Sequence, residues 1–123
     1  MVTYFTCLEI LIQNQKNQMI PLENQELFES LLNVNNKNPE QVVVYFTAPW
    51  CGACTKLNHE EIQAALPDVI WYKCDVDVNK YTLGYCGLQK IPSFVIIKKS
   101  KFFGKFTSSD TQTVIEMLND AFE

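Results

Sequence analysis

Cys51-Gly52-Ala53-Cys54 sets two thiols three residues apart, after the apolar run Val42-Val43-Val44-Tyr45-Phe46 and before a helix-like stretch. A Cys-x-x-Cys between a strand and a helix points to thiol–disulfide chemistry. Positions i and i+3 are neighbours on a helical turn, and this spacing brings two Cα atoms into the roughly 4.4–6.8 Å range that a disulfide requires. The first cysteine then sits at the start of the helix, where unpaired main-chain N–H groups and the positive end of the macrodipole favour a thiolate. Such a placement lowers a cysteine pKa from about 8.5 into the range of about 3.5 to 7.5. Cys51 is therefore read as the nucleophile and Cys54 as the thiol that resolves the mixed disulfide.

A Cys-x-x-Cys is also half of a zinc site, but a structural zinc needs four ligands, usually in two close pairs. The remaining candidates, Cys7, Cys74, Cys86 and His59, form no second pair, so no metal and no cofactor are expected. Five cysteines with one close pair do not make the framework of a disulfide-stapled secreted domain. Cys74 reads as a buried core thiol, Cys86 as a partly buried structural cysteine in a loop, and Cys7 as a thiol in an N-terminal extension.

The elements that must hold the two thiols follow from periodicity. A chain of 123 residues forms one domain with a full core. A net charge of −4 without a basic stripe argues against nucleic acid as a partner. The start, residues 1–12, lacks a basic segment, carries Glu9 among its apolar residues, and is too short to span a bilayer. Residues 1–18 read as an extension and 19–123 as the domain, in a cytoplasmic, reducing setting. Met19 to Leu22 is a short segment that Pro21 confines to a sheet edge if it is a strand. Leu27, Phe28, Leu31 and Leu32 predict a helix over 23–34 with Asn24 as its cap. Gln41 to Thr47 reads as a strand covered on both faces. The cysteines open a helix that continues through Thr55 to Leu66, with Pro67 ending it. Val69 to Val76 is a strand, Val78 to Gly84 a short helix, and Gly87 a turn. Ser93–Ile97 and Phe102–Phe106 form a hairpin around Lys98-Lys99-Ser100-Lys101. A last helix begins at a Ser109-x-x-Gln112 capping box and carries the stripe Val114, Ile115, Leu118, Ala121 and Phe122. This pattern is an α/β domain with a mixed sheet flanked by helices.

Ala48-Pro49-Trp50-Cys51-Gly52-x-Cys54, Lys73-Cys74-Asp75-Val76-Asp77, Ile91-Pro92-Ser93 and Gly104 together resemble the thioredoxin superfamily over positions 19–122. The resemblance implies the thioredoxin fold and a protein-disulfide oxidoreductase in which Cys51 attacks and Cys54 resolves. It also implies a cis Ile91-Pro92 bond facing the cysteines, with the Ile91 main chain offered to an extended substrate by strand addition. Trp50, Gly52, Ala53, Ile91 and Pro92 are the implied substrate-binding surface. The implied partners are protein disulfides and a flavin-dependent disulfide reductase; the apolar extension leaves a monomer or weak dimer as the expected state.

The chain departs from the family pattern where a buried Asp or Glu is usual and Tyr45 stands instead. That acid is thought to relay the proton of the resolving cysteine, so its loss should slow turnover rather than abolish it. Tyr45 either fills the core, the preferred reading, or hydrogen-bonds Lys73. Ala53 replaces a usual Pro, which leaves the reduction potential open. His59 stands where a helix-kinking Pro is common, so the helix is expected to be straighter and His59 to lie on its surface. Ser108 replaces a common glycine. Two rival functions remain open at this point. One is a disulfide-donating protein recharged by a sulfhydryl oxidase; the other is a binding module with little turnover that uses its groove and residues 1–18.

Overall fold

Alternating and helical apolar patterns resolve into five strands and four α-helices among residues 19–123, the part that the computed structural model describes. The readings of residues 1–18 and of Cys7 lie outside these residues. In chain order the elements are β1 (Ile20–Pro21), α1 (Gln25–Leu31), β2 (Gln41–Thr47), a 3-10 turn (Ala53–Lys56), α2 (His59–Ala65), β3 (Ile70–Asp75), α3 (Thr82–Tyr85), β4 (Ser93–Lys98), β5 (Lys101–Thr107) and α4 (Thr111–Ala121).

The sheet order is β1-β3-β2-β4-β5. β2 runs parallel to β3 and antiparallel to β4, and β5 returns antiparallel on β4. β1 adds a parallel edge through Ile20 opposite Tyr72 and Pro21 opposite Lys73. Proline lacks the N–H that an inner strand needs, so this segment takes the edge. The sheet is therefore mixed, with helices on both faces, and the fold is the thioredoxin fold expected from the sequence.

β2 lies inside the sheet, and its side chains alternate between two cores. Val43 and Tyr45 pack with Ile62 of α2 and with Val114 and Leu118 of α4. Val42, Val44 and Phe46 pack on the other face with Phe28 and Leu31 of α1. Asn24 caps α1 by accepting from the Leu27 N–H at 2.9 Å, as its position predicts.

Three local expectations are corrected. The helix opened by the cysteines is not continuous: the 3-10 turn ends at Leu57, whose ψ of 135° is extended, and α2 starts anew after Asn58. Asn58 accepts from the Glu61 N–H at 3.1 Å, and its own N–H donates to Thr111 Oγ1 at 3.0 Å. The absence of proline at position 59 therefore does not straighten this segment, because a cap one residue earlier restarts the helix. The last helix is capped by Asp110 rather than Ser109, with the Asp110 carboxylate accepting from the Thr113 N–H at 2.9 Å. A carboxylate also complements the helix dipole there. The β4–β5 hairpin is tighter than expected: Lys98 and Lys101 pair, and only Lys99 and Ser100 turn the chain, both with positive φ. Two successive left-handed residues match the twist of the flanking strands.

Candidate active site

The carboxyl end of β2 delivers the cysteine turn. The Cys51 N–H donates to the Ala48 carbonyl at 3.1 Å, which folds residues 48–51 back on themselves. Cys51 and Cys54 are joined in a disulfide with their Cα atoms 5.3 Å apart, and each is only 5% exposed. The Cys54 N–H points at Cys51 Sγ, 3.1 Å away. A donor aimed at a sulfur stabilises that sulfur when it carries negative charge. The sequence places a long helix behind Cys51; the structure supplies one aimed N–H and a four-residue turn instead.

Ala48 and the two cysteines form a small apolar cluster, against which Ala53, Val76 and Ile91 pack. The Ile91-Pro92 bond is cis. Pro92 is buried and Ile91 half-buried, and no main-chain hydrogen bond joins Ile91 to another described residue. The loop is pinned behind this bond, since Ser93 Oγ donates to the Lys90 carbonyl and pairs with Thr107 Oγ1. Gly52 is exposed, and a Cβ there would meet nothing within 4 Å. Of the residues singled out from the sequence, Cys51, Cys54, Ala53 and Ile91 are thus in one cluster.

Trp50 stands at the rim, 67% exposed. Its Nε1–H donates to the Asp77 carboxylate at 3.0 and 3.2 Å. Asp77, part of the landmark Lys73-to-Asp77, is a site neighbour that the sequence reading did not single out. Its available signal was position, because residues just beyond the carboxyl end of a parallel strand gather where neighbouring strands end.

A cavity of about 620 Å³ opens on the inner side of the turn, with Tyr45, Thr47, Cys54, His59 and Lys73 in its wall. Tyr45 is buried, its ring 5.3 Å from that of Phe94 and 4.7 Å from that of His59. Burial pushes its phenol above the ordinary value, against a smaller lowering by a hydrogen bond from Thr47. The core-filling reading of Tyr45 is therefore the one its surroundings match. His59 was expected on a helix surface. It is half-buried at the first position of α2 and turned toward Tyr45. Burial and the Lys73 charge lower its pKa, partly offset by a hydrogen bond to the Cys54 main chain.

Cys74 and Cys86 are buried free thiols. Burial pushes Cys74 up to about 12 and Cys86 up to about 11. Among the described residues no cluster of three or more His, Cys, Asp or Glu is placed to hold a metal ion. No helix among them is long and apolar enough to cross a membrane.

The sequence model of the thioredoxin family matches residues 18–120. The chain is 29% identical over 106 residues to the thioredoxin of Ictalurus punctatus, covering 83% of this chain and 97% of that one. It is 30% identical over 94 residues to thioredoxin H1 of Arabidopsis thaliana, covering 75% and 82%. The crystal structure of oxidised mitochondrial thioredoxin 3 from Saccharomyces cerevisiae superposes with a TM-score of 0.72 at 28% identity, covering 86% and 98%. A strand-to-turn disulfide on this sheet defines a thiol–disulfide oxidoreductase. The chain belongs to the thioredoxin family.

Proposed function

We infer that this protein reduces disulfides in other proteins, with Cys51 as the attacking sulfur and Cys54 as the resolving one. The Cys51 thiolate attacks one sulfur of the substrate disulfide, and that S–S bond breaks as the other sulfur leaves. The Cys54 thiolate then attacks Cys51 Sγ, releasing the second substrate thiolate and closing the Cys51–Cys54 bond. The observation that carries this order is the Cys54 N–H on Cys51 Sγ, which favours charge on Cys51 when the pair is reduced. Ile91, with its main chain unpaired among the described residues, supports strand addition by an extended substrate; Trp50, Gly52 and Ala53 complete the surface, and the buried Pro92 holds the Ile91 main chain from behind. A flavin-dependent disulfide reductase returns the electrons. A single close cysteine pair, without the framework of a disulfide-stapled secreted domain, supports a reducing compartment such as the cytosol. Because the yeast relative is mitochondrial, cell fractionation is the check on location.

Equilibration of the purified protein in graded glutathione buffers, with free thiols counted by alkylation and mass spectrometry, tests the reading. A reversible Cys51–Cys54 couple near about −270 mV is expected. A value near about −180 mV would reassign it as a disulfide donor fed by a sulfhydryl oxidase, and no reversible couple would overturn the chemistry altogether.

A further inference from the structure

The resolving step needs a base, because a thiol attacks a disulfide only after losing its proton. Cys54 is nearly covered, so bulk water is a poor acceptor for it. Its cavity brings in three titratable side chains from three elements: Tyr45 from β2, Lys73 from β3 and His59 from α2. Glu60 and Glu61, also on α2, are exposed and do not line it. Lys73 is a cation that favours a nearby thiolate but has no lone pair with which to take a proton. Tyr45, raised by burial, keeps its proton at neutral pH and is no base. His59 is different. A neutral imidazole has one N–H and one lone pair, and the lone pair can take a proton. The ring lines the same cavity as Cys54 and is held 4.7 Å from the Tyr45 ring. The cavity, at about 620 Å³, has room for water beside these polar groups.

We propose that His59 is the general base of the resolving step, taking the Cys54 thiol proton across the cavity the two residues share. This rests on Cys54 being the resolving thiol. The proton passes from Cys54 Sγ to the unprotonated imidazole nitrogen. The thiolate attacks Cys51 Sγ, the bond from Cys51 to the substrate sulfur breaks, and the imidazolium proton goes to the departing thiolate. No electrons beyond the disulfide's own pair are involved. Lys73 steadies the negative charge while His59 holds the proton. Burial and the Lys73 charge keep His59 neutral, and therefore a base, at pH 7. Its contribution disappears as the pH falls through its lowered pKa.

The test is a stopped-flow single turnover of reduced Cys7→Ser protein with an equal concentration of 5,5′-dithiobis(2-nitrobenzoate). The first coloured thiolate reports attack by Cys51 and the second reports resolution by Cys54. In His59→Gln, which keeps an N–H donor but no titrating base, the second release should slow about 10- to 100-fold at pH 7 and lose its acid-side inflection. The first release should stay within about twofold. A second release within about twofold of the parent, with an unchanged pH profile, would overturn the role of His59. Loss of the first release in the parent protein itself would instead overturn the assignment of Cys51. Because His59 is the one histidine of the chain, its ring-proton NMR signal supplies a second readout that needs no His59 variant. That signal should show a further inflection from the Cys54 thiol in the reduced protein, absent in Cys54→Ser. No such inflection would also count against the proposal.

Discussion

Two sets of cysteines in this chain are almost equally hidden from solvent, yet only one is joined. Cys51 and Cys54 are each 5% exposed, while Cys74 is 0% and Cys86 6% exposed. Exposure alone therefore does not separate them; proximity on one turn and the polar surroundings of each sulfur do. Cys51 Sγ faces a main-chain N–H, which favours thiolate. Cys74 Sγ faces the Asn79 carbonyl at 3.9 Å, an acceptor that favours the protonated thiol, within a wall of Val44, Phe46 and Phe28. The same side chain is a nucleophile where a second thiol and an aimed N–H accompany it, and an inert filler where burial dominates.

The largest effect that tests this contrast is on turnover. Cys51→Ser should lower protein-disulfide reduction by about 10³-fold or more, whereas Cys74→Ala should leave the rate of the folded protein within about twofold. An insulin-reduction assay on both variants measures it, and a comparable loss in Cys74→Ala would erase the distinction.

Next comes reactivity. With pKa values near 12 and 11, Cys74 and Cys86 have thiolate fractions of roughly 10⁻⁵ and 10⁻⁴ at pH 7. Iodoacetamide should therefore label Cys51 in the reduced protein at least about 100-fold faster than either, as followed by peptide mass spectrometry.

Stability should reverse the ranking. Cys74→Ser puts a hydroxyl into an apolar core and should cost about 1–3 kcal/mol in urea unfolding of the reduced protein. Cys51→Ser, whose hydroxyl meets the Cys54 N–H, should cost less, about 1 kcal/mol or below.

The smallest effect is the pH dependence set by His59. Its folded pKa lies below 6.5, so the unfolded chain takes up this proton first as the pH falls. Stability should decline from about pH 6.5 downward and level off below the folded pKa. Urea titrations at pH 7.5 and 5.5 should show a smaller difference for His59→Gln than for the parent.

Much of this arrangement was legible in the residues. The Cys-x-x-Cys spacing, the Ile91-Pro92 pair and the unbroken apolar run of β2 each have one local solution, and each appears where expected. The inner wall of the site was not legible. Between Thr55 and Glu61 only Leu57 is apolar, so no apolar period marked the restart of the helix. The signal that could have exposed it was Asn58-x-x-Glu61, a cap residue followed by an acid three positions on. The aim of His59 depends on that break, because the restart sets the direction from which α2 presents its first residue to β2. Likewise Ser109 and Asp110 are both good caps, and only the approach of Thr113 decides between them.

The interruption at Leu57 has a mechanical consequence. Residues 53–56 form one short turn, closed by Thr55 N–H and Oγ1 on the Gly52 carbonyl and by the Leu57 N–H on the Cys54 carbonyl. α2 has a separate cap and is stitched to α4 through Thr111 Oγ1 and through Gln112 Nε2 on Glu61. Segments bounded in this way open as separate units. The reacting turn is thus a unit separate from the capped helix behind it, and is expected to open independently of that helix. Amide hydrogen exchange would record the division directly, as fast exchange at residues 53–56 beside slow exchange across α2 and β2.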